Sequence, residues 1–137
     1  MAAIEEAVFH LMRRVMQEHA ARWQATLGEL TKPQYAVLTV LAAEPGLDQA
    51  TAGERAAIDK ATLTSLLLRL EQRGLISREI GADRRRRTVW LTSVGEQALR
   101  AHKVLADGVD EALLSRLSST EREQLRELLG RLAGGAT

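Results

Sequence analysis

The chain contains no cysteine. Disulfides, thiolate metal sites and cysteine-based redox sensing are thereby excluded, and the composition suits a reducing compartment. Aromatic residues are only 3% of the chain, which leaves little bulk to cover long apolar helix faces. There is no long apolar run, and Glu5 and Glu6 follow closely on the N-terminus. Neither a secretory signal nor a membrane anchor is expected, and a soluble cytoplasmic protein is the natural reading. Catalytic chemistry is equally sparse. No Gly-rich phosphate loop, nucleophile elbow or recognisable carboxylate pair is visible, so no enzyme activity and no cofactor are expected. His10, His19 and His102 form no HxxxH motif and have no carboxylate constellation beside them, so no metal site is expected.

What is present centres on residues 58 to 92, IDKATLTSLLLRLEQRGLISREIGADRRRRTVWLT. Asp59 has the side chain of a helix cap, and Ile58 can staple onto Leu63. Leu63, Leu66, Leu67 and Leu70 recur at helical spacing, so one face is buried, whereas Ala61, Thr62, Thr64, Ser65 and Arg69 lie outside it. Gly74 is placed to end the helix in a left-handed conformation, with Leu75 folding back on Leu70. The runs LISREI and TVWL then read as short strands, and GADRRRR between them as an exposed, basic hairpin tip. A helix followed by such a hairpin is a winged-helix layout.

Charge supports the same division. Between Asp59 and Leu91, 8 basic residues face 4 acidic ones, a local charge of +4, whereas the remaining 11 basic and 14 acidic residues sum to −3. The overall charge of +1 therefore conceals a polarised molecule. A local positive patch attracts a phosphate backbone in a salt-dependent manner. A helix with small polar side chains fits a major groove, and a thin arginine-tipped hairpin reaches a minor groove.

Outside this module the chain reads as helices. Residues 3 to 27 carry Ile4, Val8, Leu11, Met12, Val15, His19, Trp23 and Leu27 on one seam, with Gly28 as the stop. Thr31 and Gln34 form a capping box for the next helix, with Leu30 stapling to Tyr35, and Pro45-Gly46 ends it. Asp48 can cap a short third helix over residues 49 to 57, weakened by Gly53 in its interior at about 1 kcal/mol relative to alanine. Thr92 or Ser93 can cap a long fifth helix, with Gly108 a candidate bend, and Ser118 with Glu121 caps a sixth bearing Leu125, Leu128, Leu129 and Leu132. The long apolar stripes at both ends exceed what one small module can cover, so a twofold homodimer is expected. The fold class is thus mainly α with a small β-hairpin wing: a winged helix-turn-helix, dimeric through its N- and C-terminal helices. Residues 1–28 are assigned to N-terminal dimerisation, 29–91 to DNA binding and 92–137 to C-terminal dimerisation.

The segments LTKPQYAVLTVL, IDKATLTSLLLRLEQRGLISR, DRRRRTVWLTSVG and LSSTEREQLRELL, in this order, resemble the MarR family of bacterial transcriptional regulators over about residues 29 to 132. PGLDQ, with QYAVL before it, is similar to a subgroup that controls aromatic-compound catabolism. The resemblance implies a homodimeric regulator, usually a repressor, which binds a pseudo-palindromic operator in double-stranded DNA and is released by a small phenolic or aromatic acid or its thioester. It also implies major-groove contacts from Lys60, Ala61, Thr62, Thr64, Ser65 and Arg69, and a wing Asp-x-Arg at Asp83 and Arg85, with Asp83 orienting Arg85 at the minor groove. Arg84, Arg86 and Arg87 are candidates for phosphate contact. Two departures stand out: Ala52-Gly53 replaces a Leu-Ala pair, which would loosen the third helix, and Leu68 occupies an outward position that is usually polar. Leu68 reads either as a contact to a thymine methyl or as packing on a neighbouring helix.

His10, Arg14, His19 and Trp23 on the first helix, with Tyr35, are candidate effector-binding residues. A cation and a hydroxyl would hold an aromatic carboxylate. The plainer alternative makes Trp23 and Tyr35 core residues and leaves the histidines at the dimer seam. Two rival functions also stand: a winged-helix module whose basic wing grips an acidic protein, and an architectural DNA binder without a ligand.

Overall fold

Every described helix except the first starts on a side-chain cap, and these caps set the architecture. The structure is a computed structural model that describes residues 3, 6–83 and 85–135. The elements are α1 (Val8–Thr26), α2 (Lys32–Ala43), β1 (Leu47–Asp48), α3 (Gln49–Arg55), α4 (Lys60–Gln72), β2 (Ile76–Ile80), β3 (Arg87–Leu91), α5 (Ser93–Leu114) and α6 (Ser119–Leu132). Thr31 and Ser118 close full capping boxes with Gln34 and Glu121. Asp48, Asp59 and Thr92 each accept a backbone N–H three residues ahead. Such caps satisfy N–H groups that no helical carbonyl can reach.

α1 departs from the expected 3–27 range. It begins at Val8 without a side-chain cap, because Ala7 stands at the capping position and offers no acceptor. Ile4, counted in the apolar seam, lies outside the described residues.

The stops are equally local. Gly74 takes φ +74°, the Leu75 N–H returns to the Leu70 carbonyl at 3.0 Å, and the Gly74 N–H bonds the Glu71 carbonyl at 2.9 Å. This is the expected Schellman stop. α3 ends by the same pattern, with Ile58 bonded to Gly53 and Ala57 to Glu54. There the left-handed position is taken by Ala57 at φ 58°, which is why α3 ends at Arg55 instead of continuing to residue 57.

The expected two-stranded hairpin is part of a three-stranded antiparallel sheet ordered β1-β3-β2. Leu47 pairs with Val89 and Asp48 with Thr88 on one side of β3, and Ile76 pairs with Leu91 on the other. A strand of two residues is too short for alternation to reveal.

Two clusters form the core. The larger joins Val37, Leu38 and Leu41 of α2, Ala52 of α3, Leu63, Leu66, Leu67 and Leu70 of α4, and Ile76 and Val89 of the sheet. The smaller joins Trp23, Leu27, Ala106 and Val109 from α1 and α5, and Tyr35 packs against both clusters. Gly53, expected to weaken α3, also has a packing role. It is buried, and a Cβ there would lie 2.6 Å from Cδ2 of Leu63, so the missing side chain makes room for the core of α4.

Outside these clusters the helices are bare. α6 contributes no buried residue, and Leu128 and Leu132 are exposed, as are Val8, Phe9, Val15 and Met16 of α1. Arg122 fastens α6 to α5 through two bonds to Glu111 and one to the Leu114 carbonyl. α5 runs unbroken past Gly108. Among the described residues, no helix is long and apolar enough to cross a membrane.

Candidate nucleic-acid interface

α3, the turn at Ala57 and α4 form a helix-turn-helix, and the hairpin of β2 and β3 stands beside it as a wing. Burial of Leu63, Leu66, Leu67 and Leu70 fixes the rotation of α4. Ala61, Thr62, Thr64, Ser65 and Arg69 are consequently exposed, together with Lys60 and Leu68. The Asp59 carboxylate accepts from the Thr62 backbone at 2.8 Å and from its hydroxyl at 2.9 Å. The backbone bond, then the hydroxyl, holds its pKa below the ordinary value. Thr62 and Thr64 are thereby partly engaged locally, since Thr64 donates to the Lys60 carbonyl at 3.0 Å. Each hydroxyl keeps an acceptor lone pair.

At the wing tip, Gly81 bonds the Arg86 carbonyl at 2.9 Å and Arg86 bonds the Asp83 carbonyl at 2.8 Å. Asp83 differs from its expected role in one respect. Its carboxylate accepts the backbone N–H of Arg85 at 3.1 Å, so it shapes the main chain under Arg85, and no bond to the Arg85 guanidinium is present among the described residues. Arg84 lies outside the described residues. Arg85, Arg86 and Arg87 line one side of a cleft whose other side carries Gln49, Lys60 and Thr64. Gln49 was not singled out by the sequence; its side-chain oxygen is buried without a hydrogen-bond partner among the described residues.

The basic residues divide into two groups. Arg78 pairs with Glu71 at 2.8 Å, and Arg73 donates to the Glu29 carbonyl at 2.9 Å. Lys60, Arg69, Arg85, Arg86 and Arg87 have no carboxylate within ion-pair distance among the described residues. The first group braces the fold; in the second, Arg86 acts on Asp48 and Arg87 on Glu71 only at longer range, so the face made by α4 and the wing carries cations that no direct ion pair among the described residues holds.

A second constellation lies where α1, α2 and α5 meet. His19 Nε2 is 2.7 Å from Asp110 Oδ1, and His19 Nδ1 is buried without a hydrogen-bond partner among the described residues. The Trp23 indole donates to the Leu30 carbonyl at 2.8 Å, and its ring meets Tyr35 edge-on at a centroid distance of 5.2 Å. Burial pushes the Lys32 pKa down, with Asp110 opposing. The structure thus brings together His19, Trp23 and Tyr35. His10 and Arg14 stand apart from them within one chain: His10 is nine residues before His19, ~13 Å along the helix, and Arg14 lines an outer groove with Glu18 and Arg116. Asp110 and Lys32 were missed by the sequence reading. The signal for Asp110 was a carboxylate directly beside the apolar stripe of α5.

A DNA-binding winged helix-turn-helix is the class these features define. Comparison places it more narrowly. Residues 29–87 match the model of the MarR family. The chain is 47% identical over 131 residues to the transcriptional regulator HosA of Escherichia coli, covering 95% of this chain and 97% of HosA. It is similar to the PcaV transcriptional regulator of Streptomyces coelicolor, solved with its natural ligand, at 37% identity and a TM-score of 0.91 over the whole of both chains. It is also similar to BpsR of Bordetella bronchiseptica, whose DNA binding is regulated by 6-hydroxynicotinic acid, at 30% identity and a TM-score of 0.85 over 92% of this chain and 98% of BpsR. The protein belongs to the MarR family of transcriptional regulators.

Proposed function

We propose that this protein is a ligand-responsive repressor that binds a pseudo-palindromic operator as a homodimer and leaves it when a small aromatic acid, or its thioester, binds. The observation that carries the reading is the set of cations Lys60, Arg69, Arg85, Arg86 and Arg87 without carboxylate partners among the described residues, spread over α4 and the wing. Free guanidinium and ammonium groups on an exposed face are suited to phosphate contact. α4 would enter a major groove and the wing the adjoining minor groove, with half-sites about 10 bp apart.

Dimerisation would use residues 1–28 and 92–137 around the central module of 29–91. The exposed leucines of α6 and the exposed apolar residues of α1 support it, because large apolar side chains left in solvent on both terminal helices suit an interface. The effector would lie at the α1, α2 and α5 junction. Tyr35 supplies a hydroxyl there, His19 Nδ1 an unpartnered polar atom, and Lys32 a partly desolvated cation. Arg14 and His10 would contribute only through a rearrangement or the second protomer. The regulation of BpsR by 6-hydroxynicotinic acid supports an aromatic effector. A ligand at this junction shifts DNA binding only by preferring one spacing of the two modules over another.

The test is binding of the purified protein to its own upstream intergenic duplex and to a scrambled duplex, at low and high salt, with and without a panel of aromatic acids and their thioesters. Preference for the native duplex, lost with one compound, supports the reading. Equal, salt-sensitive binding to both duplexes points to an architectural role, and no binding to either points to a protein partner.

A further inference from the structure

Leu68 is the large apolar side chain of α4 that its own fold leaves in solvent, at 47% exposure. The other exposed large apolar residues of the described helices lie on α1, α5 and α6, where a second copy can cover them. Leu68 is elsewhere. The burial of Leu63, Leu66, Leu67 and Leu70 points the opposite side of α4 outward, and that side carries Ala61, Ser65, Leu68 and Gln72, all exposed. These are spaced by four, three and four residues, so they form one stripe along the helix. The free cations Lys60 and Arg69 flank this stripe on the same helix, and no acidic side chain belongs to it.

We propose that Leu68 is a specificity-determining residue that reads the 5-methyl group of a thymine in the major groove. The inference rests on the DNA-binding reading above and adds the class of base recognised. In the major groove, thymine presents a methyl group as its distinguishing apolar feature. A branched aliphatic side chain satisfies no donor or acceptor on a base edge, so the methyl is the group it can bury. Ser65, one turn before Leu68, carries a hydroxyl that can donate or accept beside it. Leu68 lies seven residues after Ala61, ~10 Å along the helix axis. At ~3.4 Å per base along a strand, Ala61 and Leu68 face positions about three base steps apart.

The experiment selects binding duplexes from a random-sequence library with the full-length protein, then replaces each thymine singly by deoxyuridine, which removes only the methyl group. Wild-type protein is expected to lose about fourfold in affinity at one symmetry-related pair of thymines, equivalent to ~0.8 kcal/mol for one buried methyl-sized group. Leu68→Ser should bind thymine and deoxyuridine duplexes equally at that pair, and Leu68→Met should retain the discrimination. Thermal melts of the variants check that the fold is intact, which the exposure of Leu68 favours. If no deoxyuridine replacement matters, or if the penalty persists unchanged in Leu68→Ser, the assignment is overturned while the DNA-binding reading stands. If the selection recovers no duplex, both fall.

Discussion

Gly95 stands so close to the end of α4 that a Cβ on it would lie 2.0 Å from the carbonyl oxygen of Leu75. The same junction is tied by Thr92, whose hydroxyl donates to the Gly74 carbonyl at 2.6 Å and whose N–H bonds the Leu75 carbonyl at 3.1 Å. The long α5 is thus seated directly on the stop of α4. Because the obstructing atom is backbone, Gly95→Ala cannot be absorbed by a side-chain shift. The variant should lose about 2 kcal/mol of stability despite the better helix propensity of alanine, seen as a lower urea midpoint. A gain in stability would mean that the seat is looser than this contact implies.

Ala57 offers the opposite case. A left-handed alanine is strained by about 1–2 kcal/mol, and glycine relieves that strain while adding freedom to the unfolded chain. Ala57→Gly should therefore stabilise the protein by about 0.5 kcal/mol, measured by urea denaturation. A loss would show that the methyl group contributes packing which outweighs the strain.

Arg85→Ala should weaken binding to the selected duplexes at least about tenfold while leaving the oligomeric state unchanged. If Arg85 also neutralises a phosphate, the slope of log affinity against log salt should fall in magnitude by about 0.9. Fluorescence anisotropy across a salt series, with sedimentation of the free protein, reads both effects. Unchanged affinity would remove the wing from the interface.

Effector binding at the α1, α2 and α5 junction should change the emission of Trp23, which is 6% exposed and edge-on to Tyr35. Trp90 is 39% exposed on the sheet and would add a background signal, so the titration is best made in Trp90→Phe. A saturable change with one aromatic acid, abolished by Tyr35→Phe or Lys32→Ala, is expected. A flat response across the panel would argue that Trp23 and Tyr35 are core residues alone.

Acid should destabilise the fold in a defined window. Glu18 is held below the ordinary carboxylate value of 4.5 mainly by its hydrogen bond from Arg116, Glu71 by that from Arg78, and Glu111 by that from Arg122. A carboxyl whose folded pKa is depressed binds fewer protons folded than unfolded. Its contribution is therefore complete above 4.5 and disappears as pH falls through the lower folded value. Melting temperature should be flat above this window and drop below it. A flat profile through acid would show these exposed pairs to be energetically idle, as many surface pairs are.

What the sequence disclosed, and what it did not, follows the range of the interactions. The leucine stripe of α4, the capping boxes of Thr31 with Gln34 and Ser118 with Glu121, and the stop at Gly74 all involve residues a few positions apart. Composition and spacing therefore announced them. β1 exists only through pairing with a strand some forty residues later. His19 meets Asp110 across 91 positions. Gly53 read as a weakness because its benefit belongs to Leu63, and Ala57 hid a helix stop because the position more often carries glycine. The wing was legible from its arginines, whereas the backbone role of Asp83 required the turn itself.

Asp48 serves two elements at once: it pairs with Thr88 as the last residue of β1 and caps α3 with its carboxylate. The helix-turn-helix and the wing are thereby stitched together on the side away from their direct connection, and the wing cannot swing from α3 without breaking the pairing of β1 with β3. The module of α3, α4 and the wing is thus a gauge of fixed width. In the proposed dimer, whatever adjusts the fit to an operator would act where one gauge is mounted on the other, so that tolerance would be set at the joint between copies and not within either one.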